Sequence, residues 1–139
     1  AFSMKNVGVS LALFLLMILL QSCNTFKVRE TVAALENSIT NYNVALRWGM
    51  YKDAYSYHFS PDGKQPPAKL DDLEEISVTG IEISEKLINR EHTEANVEIA
   101  ITYFLKTQGT IKKIKLNQDW WFNKEYKQWF VNHPFPKFN

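Results

Sequence analysis

Cysteine is nearly absent: the 139 residues hold one, Cys23, so no disulfide within the chain braces its fold. Glycine and proline number five each and form no repeat and no low-complexity segment. Neither charge dominates, with 16 Lys and Arg against 15 Asp and Glu, and no general electrostatic case for nucleic acid or anionic headgroups follows. There is no glycine-rich phosphate loop, and no Ser or Cys nucleophile stands in a recognisable setting. His58, His92 and His133 are far apart and lack metal-ligand neighbours at helical or hairpin spacing, so neither a structural metal nor a cofactor is expected. No apolar run is long enough to span a membrane. The longest uncharged one, Val7 to Leu20, has 14 residues, where a helix crossing about 30 Å of hydrocarbon needs roughly 20.

That short run carries information of another kind. Lys5 precedes it, and Gln21-Ser22-Cys23 ends it, which is the order of a secretory signal: basic residue, apolar stretch, small residue at the cut. Leu20-Gln21-Ser22-Cys23 resembles the lipobox of bacterial lipoproteins. The resemblance implies that residues 1–22 are removed and that Cys23 becomes an acylated amino terminus (diacylglyceryl and palmitate-type chains), since stable anchoring takes two or more chains. Ala1-Phe2-Ser3 before Met4 read as an upstream extension. Asn24 after the cysteine, rather than Asp, points to the outer membrane over the inner, with the domain facing the periplasm. The alternatives are an ordinary secreted protein with a chance cysteine, or an uncleaved short anchor.

Residues 23–139 form one domain's worth of chain, 117 residues with 15 basic and 15 acidic side chains. Residues 23–27 make a short tether, and 28–139 the domain. Val28, Val32, Leu35, Ile39, Tyr42 and Leu46 recur at spacings of three and four, predicting an amphipathic helix that Gly49 ends. A second short helix fits Met50 to His58. Ser60-Pro61-Asp62-Gly63 is turn chemistry, and Leu70 to Glu75 fits one helical turn. The period then becomes alternating. Ile76 to Ile88 predicts a strand with a bulge at Thr79-Gly80. Val97, Ile99, Ile101, Tyr103 and Leu105 predict a central strand, covered on both faces because Ala100, Thr102 and Phe104 fill the other side. His92 belongs to an exposed turn before it. Strands over Ile111 to Phe122 and Gln128 to His133 complete antiparallel hairpins. Helices first and strands after them predict an α+β fold.

The stretch Ala45 to Tyr55 around Gly49, the Ser60 to Gly63 turn, and the ending Trp120-Trp121-Phe122 with Trp129-Phe130-Val131 resemble the nuclear-transport-factor-two-like, or cystatin-like, superfamily. The likeness covers roughly residues 28–133 and implies a long N-terminal helix and a short one packed on a curved antiparallel sheet, the whole cone-shaped.

The superfamily includes ketosteroid-isomerase-like and cyclase-like pocket enzymes, for which a carboxylate base and acidic donors must converge. Tyr51, Asp53, Tyr55, Tyr57, His58 and Asp119 are the raw material, and nothing in their spacing singles out a base with an oxyanion partner. Asp53 reads as a solvated charge near a helix N-terminus. In the strand from Ile111, Ile114, Leu116, Trp120 and Phe122 take the apolar face, leaving Trp121 among Lys113, Lys115, Asn117 and Asp119 on the polar one. Trp121, with Phe135 and Phe138 of the tail and Tyr51 and Tyr55, makes the candidate contact surface for a partner or ligand. The reading is a lipid-anchored, non-catalytic envelope protein with a binding or accessory-subunit role. A carrier or sensor of a small apolar ligand and an isomerase- or cyclase-type enzyme are the alternatives. A cone filled by aromatic side chains favours the first, and a hollow one the others.

Overall fold

The computed structural model describes residues 4–139, apart from the side chains of residues 4–5 and 18–26. The acylation expected at Cys23 falls on a side chain outside the described ones, and the backbone of the expected tether, 23–27, is part of the first helix. Helix α1 runs Met4–Arg47, and the chain divides into two units, residues 1–33 and residues 34–139. In the first unit every described side chain from Asn6 to Met17 is exposed, Leu11, Phe14 and Met17 among them. Among the described residues no helix is long and apolar enough to cross a membrane.

The second unit is α+β, as expected. Its part of α1 buries Leu35, Ile39, Tyr42 and Leu46, four of the six residues of the stripe read from the spacing, together with Ser38 and Ala45. The other two are not buried, Val28 being exposed and Val32 half-buried. Arg47 donates from Nη1 to the carbonyl of Val78 at 3.0 Å, and Lys86 pairs with Glu36, so the helix is tied to the sheet at two points along one side of its stripe. Gly49 ends the helical path with φ 73°, a conformation in which a Cβ would be strained. Helix α2 is Tyr51–Tyr55, shorter than the expected Met50 to His58. The reason is tertiary: the Val131 amide donates to the Tyr57 carbonyl at 2.7 Å and the Phe59 amide to the Val131 carbonyl at 3.0 Å, pulling this backbone into the sheet.

After a 3₁₀ turn at Asp71–Glu75, strands β1 (Ile76–Ile88), β2 (Glu94–Leu105), β3 (Ile111–Asn123) and β4 (Gln128–Val131) form one antiparallel sheet in chain order. The bulge at Val78/Gly80 is where the sequence placed it. A second, between Ile83 and Glu85, was not foreseen. Bulges bend a strand and raise its twist, so β1 curls around the helix. The last strand stops two residues short of His133, although the Asn132 amide still donates to the Asp119 carbonyl at 2.8 Å. His92 sits in the hairpin turn with φ 56° and is half-buried rather than exposed.

One face of the sheet meets the helix. Val97, Ile99, Ile101 and Tyr103 of β2 are buried there, with Trp120 of β3 and Trp129 and Val131 of β4. The opposite face corrects the expectation of a doubly covered strand: Ala100, Thr102 and Phe104 are half-buried only. The tail returns across the open end of the core. Phe135 is buried against Tyr51, Tyr55 and His58, and Phe138 lies on Tyr103.

Candidate functional site

Two places gather polar side chains in the second unit, one inside it and one on the outer face of its sheet. The inside one is a closed hydrogen-bond chain. The His58 ring lies 2.7 Å by Nδ1 from the carbonyl of His133, which can only accept, so Nδ1 carries the proton and Nε2 is left as an acceptor. Tyr42 Oη donates to that Nε2 at 2.8 Å, and Gln118 Nε2 donates to Tyr42 Oη at 3.3 Å. Burial lowers the His58 pKa to about 4 and pushes the Tyr42 phenol up, so both are neutral. Trp120 packs edge-on against Tyr42, with ring centroids 5.6 Å apart, and Tyr57 against both. Tyr42, Trp120, Trp129, Tyr103 and His58 are each at most 2% exposed. Around Tyr42 and His58 the space between helix and sheet is filled by the protein's own rings.

The residues named as isomerase raw material do not converge. Asp53 is exposed in the first turn of α2. Asp119 stands on the opposite face of the sheet from His58, because Trp120 beside it points inward. Tyr51 donates to the carbonyl of Ile76 at 3.0 Å, and Tyr55 donates to that of Pro66. Both hydroxyls are committed to backbone carbonyls, one at the start of β1 and one in the loop before it. Among the described residues no three His, Cys, Asp or Glu side chains cluster.

The outer-face place follows from strand register. Leu87 stands opposite Asn96, Asn96 opposite Asp119, and Asn132 continues that row through its amide bond to Asp119. The next outward row is Glu94, Trp121 and Phe130. Leu87, Asn96, Asp119 and Asn132 of the first row and Glu94 and Trp121 of the second line a cleft of about 570 Å³, with Pro61 also at its wall. Its polar side is held in position. Asn96 donates from Nδ2 to Asp119 Oδ1 at 2.8 Å and to Asn117 Oδ1, and His133 Nε2 lies 3.1 Å from Asp119 Oδ2. Its apolar side is Trp121, whose N–H donates to the Phe59 carbonyl at 2.7 Å and whose ring packs on Phe59 and Phe130.

Trp121 is therefore on the polar face, as the alternation predicts, but half-buried under the segment after α2 rather than fully exposed. The five candidate contact residues part company. Tyr51, Tyr55 and Phe135 form one packed group that anchors the tail, Phe138 sits on Tyr103, and Trp121 lines the cleft. Sequence reasoning missed Asn96 and Asn132, and the signal for them is register: only the pairing of strands sets these amides beside Asp119.

No family model and no curated protein matches the chain. Among solved structures, a ketosteroid isomerase-like protein from Erwinia carotovora atroseptica is similar, at 17% identity and a TM-score of 0.48 over 71% of this chain and 88% of that one.

Proposed function

We propose that this chain is a lipid-anchored protein of the bacterial outer membrane, held through Cys23 and facing the periplasm, whose domain binds an envelope component without catalysis. The observation that carries the non-catalytic part is the filled interior. A pocket enzyme or an apolar-ligand carrier of the superfamily that the sequence resembles needs room beside its polar groups. Here Tyr42, His58 and Gln118 use their hydrogen-bonding capacity on one another and on the His133 carbonyl. The binding part rests on the cleft beside Trp121, which combines a half-exposed ring with fixed polar groups.

The anchoring half is tested by replacing Cys23 with Ser and fractionating the cells. Release from the membrane fraction and a shift in size are expected; an unchanged pellet at unchanged size would remove the lipid from the reading. The binding half is tested by capture from the detergent-solubilised envelope. Wild type should retain a component that Trp121→Ala loses, and equal capture by both would move the binding site elsewhere.

A further inference from the structure

The cleft on the outer face offers a mixed set of hydrogen-bonding groups, and that mixture narrows its ligand. Asn96 has both amide hydrogens engaged, by Asp119 and Asn117, so what it still presents is its carbonyl oxygen. Asp119 is an acceptor, already steadied by Asn96 and His133. Asn132, exposed at the end of the same row, adds an amide that donates as well as accepts. Beside this row stand the half-exposed ring of Trp121 and the exposed side chain of Leu87.

Three ligand classes can be weighed against that inventory. An anion would meet Asp119 and Glu94 with no Lys or Arg among the lining residues to balance it. A cation would draw on Asp119, whose two carboxylate oxygens are already engaged by Asn96 and His133, and would make no use of the amide groups of Asn96 and Asn132. A sugar ring fits both sides. Each hydroxyl donates once and accepts twice, and the C–H face of a pyranose offers apolar surface to an aromatic ring. The volume, about 570 Å³, falls in the range of small-molecule sites. The polar row is fixed across adjacent strands of one sheet, so little side-chain freedom is lost on binding.

We propose that this cleft binds a neutral saccharide unit, with Asn96, Asp119 and Asn132 addressing its hydroxyls and Trp121 its apolar face. This rests on the reading of the domain as a binding module, and names the class of its ligand.

The test uses the full chain in a polyoxyethylene detergent, free of sugar headgroups, titrated with maltose and with N,N′-diacetylchitobiose and followed by saturation-transfer NMR. At least one disaccharide should saturate with a Kd of about 1 mM or below. Asp119→Ala should weaken it about tenfold or more, the loss expected when a hydrogen bond to a charged group goes, and Asn96→Ser about fivefold, as for a neutral one. Melting temperatures separate a lost contact from a lost fold, and Asn132→Ala, at an exposed position, gives the same readout should either variant unfold. Arginine methyl ester and glucose 6-phosphate are the charged controls. No saturation by either disaccharide, preferential binding of a charged control, or sugar binding unchanged in all three variants overturns the proposal. If Trp121-dependent capture from the envelope persists while the sugars fail, only the ligand class falls. If both fail, the binding reading falls with it.

Discussion

Tyr42, in the middle of the buried stripe of α1, donates its phenolic hydrogen to His58, 16 residues further on, across 2.8 Å of buried interior. That bond is the centre of a chain from the Gln118 amide to the carbonyl of His133, so helix, third strand and tail are joined through two side chains. Removing one hydroxyl should be felt at both neighbours. Tyr42→Phe keeps the ring and its packing but leaves His58 Nε2 and the Gln118 amide unpaired, at a cost of about 1–3 kcal/mol. Chemical denaturation at neutral pH checks this; a loss no larger than that of an exposed substitution would mean that the chain of bonds does not form.

The same histidine makes stability pH-dependent in a defined window. Unfolded, its pKa is near 6.5; folded, burial lowers it to about 4. Between those values the unfolded chain holds a proton that the folded one does not, so acid favours unfolding there. Stability should fall by up to about 3 kcal/mol as pH drops from about 6.5 to about 4, and His58 should contribute no further change outside that range. Urea midpoints across the window, for wild type and His58→Gln, isolate the term. Equal pH slopes in the two proteins would show that His58 is not the group responsible.

Leu35 is fully buried and Val44, nine residues along the same helix, is 43% exposed. Leu35→Ala should cost about 2–5 kcal/mol, by lost transfer energy and the cavity left behind. Val44→Ala should stay within about 0.5 kcal/mol. Thermal or urea unfolding of the pair reads the difference directly, and the reverse order would place the helix on its other face.

Adjacent tryptophans should differ in the same way. Trp120 is 1% exposed, and its N–H has no partner among the described residues, so its worth lies in ring packing. Trp120→Ala should cost about 3–5 kcal/mol. Trp121→Ala loses the bond to the Phe59 carbonyl and ring contacts with Phe59 and Phe130, together about 1–2 kcal/mol. Stability curves for both should therefore separate. Identical losses would put Trp121 in the core and remove it from the cleft.

Much of this molecule is local enough to be read from the chain alone. A period of three to four put Leu35, Ile39, Tyr42 and Leu46 on one face. A period of two put Val97 to Tyr103 on another and separated Trp120 from Trp121. Gly49 and Gly63, both at positive φ, mark a helix end and a turn where the sequence had them. Each is a matter of backbone geometry within a few residues.

What lies beyond that distance was decided by pairing and packing. The shortening of α2 comes from Val131, more than 70 residues away, claiming the backbone of Tyr57 and Phe59. The half-burial of Trp121 depends on a carbonyl 62 residues before it. The amides of Asn96 and Asn132 reach Asp119 only because three strand ends share one register. Whether the interior is hollow or full depends on how Tyr42, His58, Tyr57 and Trp120 meet, and no spacing along the chain encodes that. The period of a segment says which side chains turn inward; only the assembled sheet and the returning tail determine what they find there.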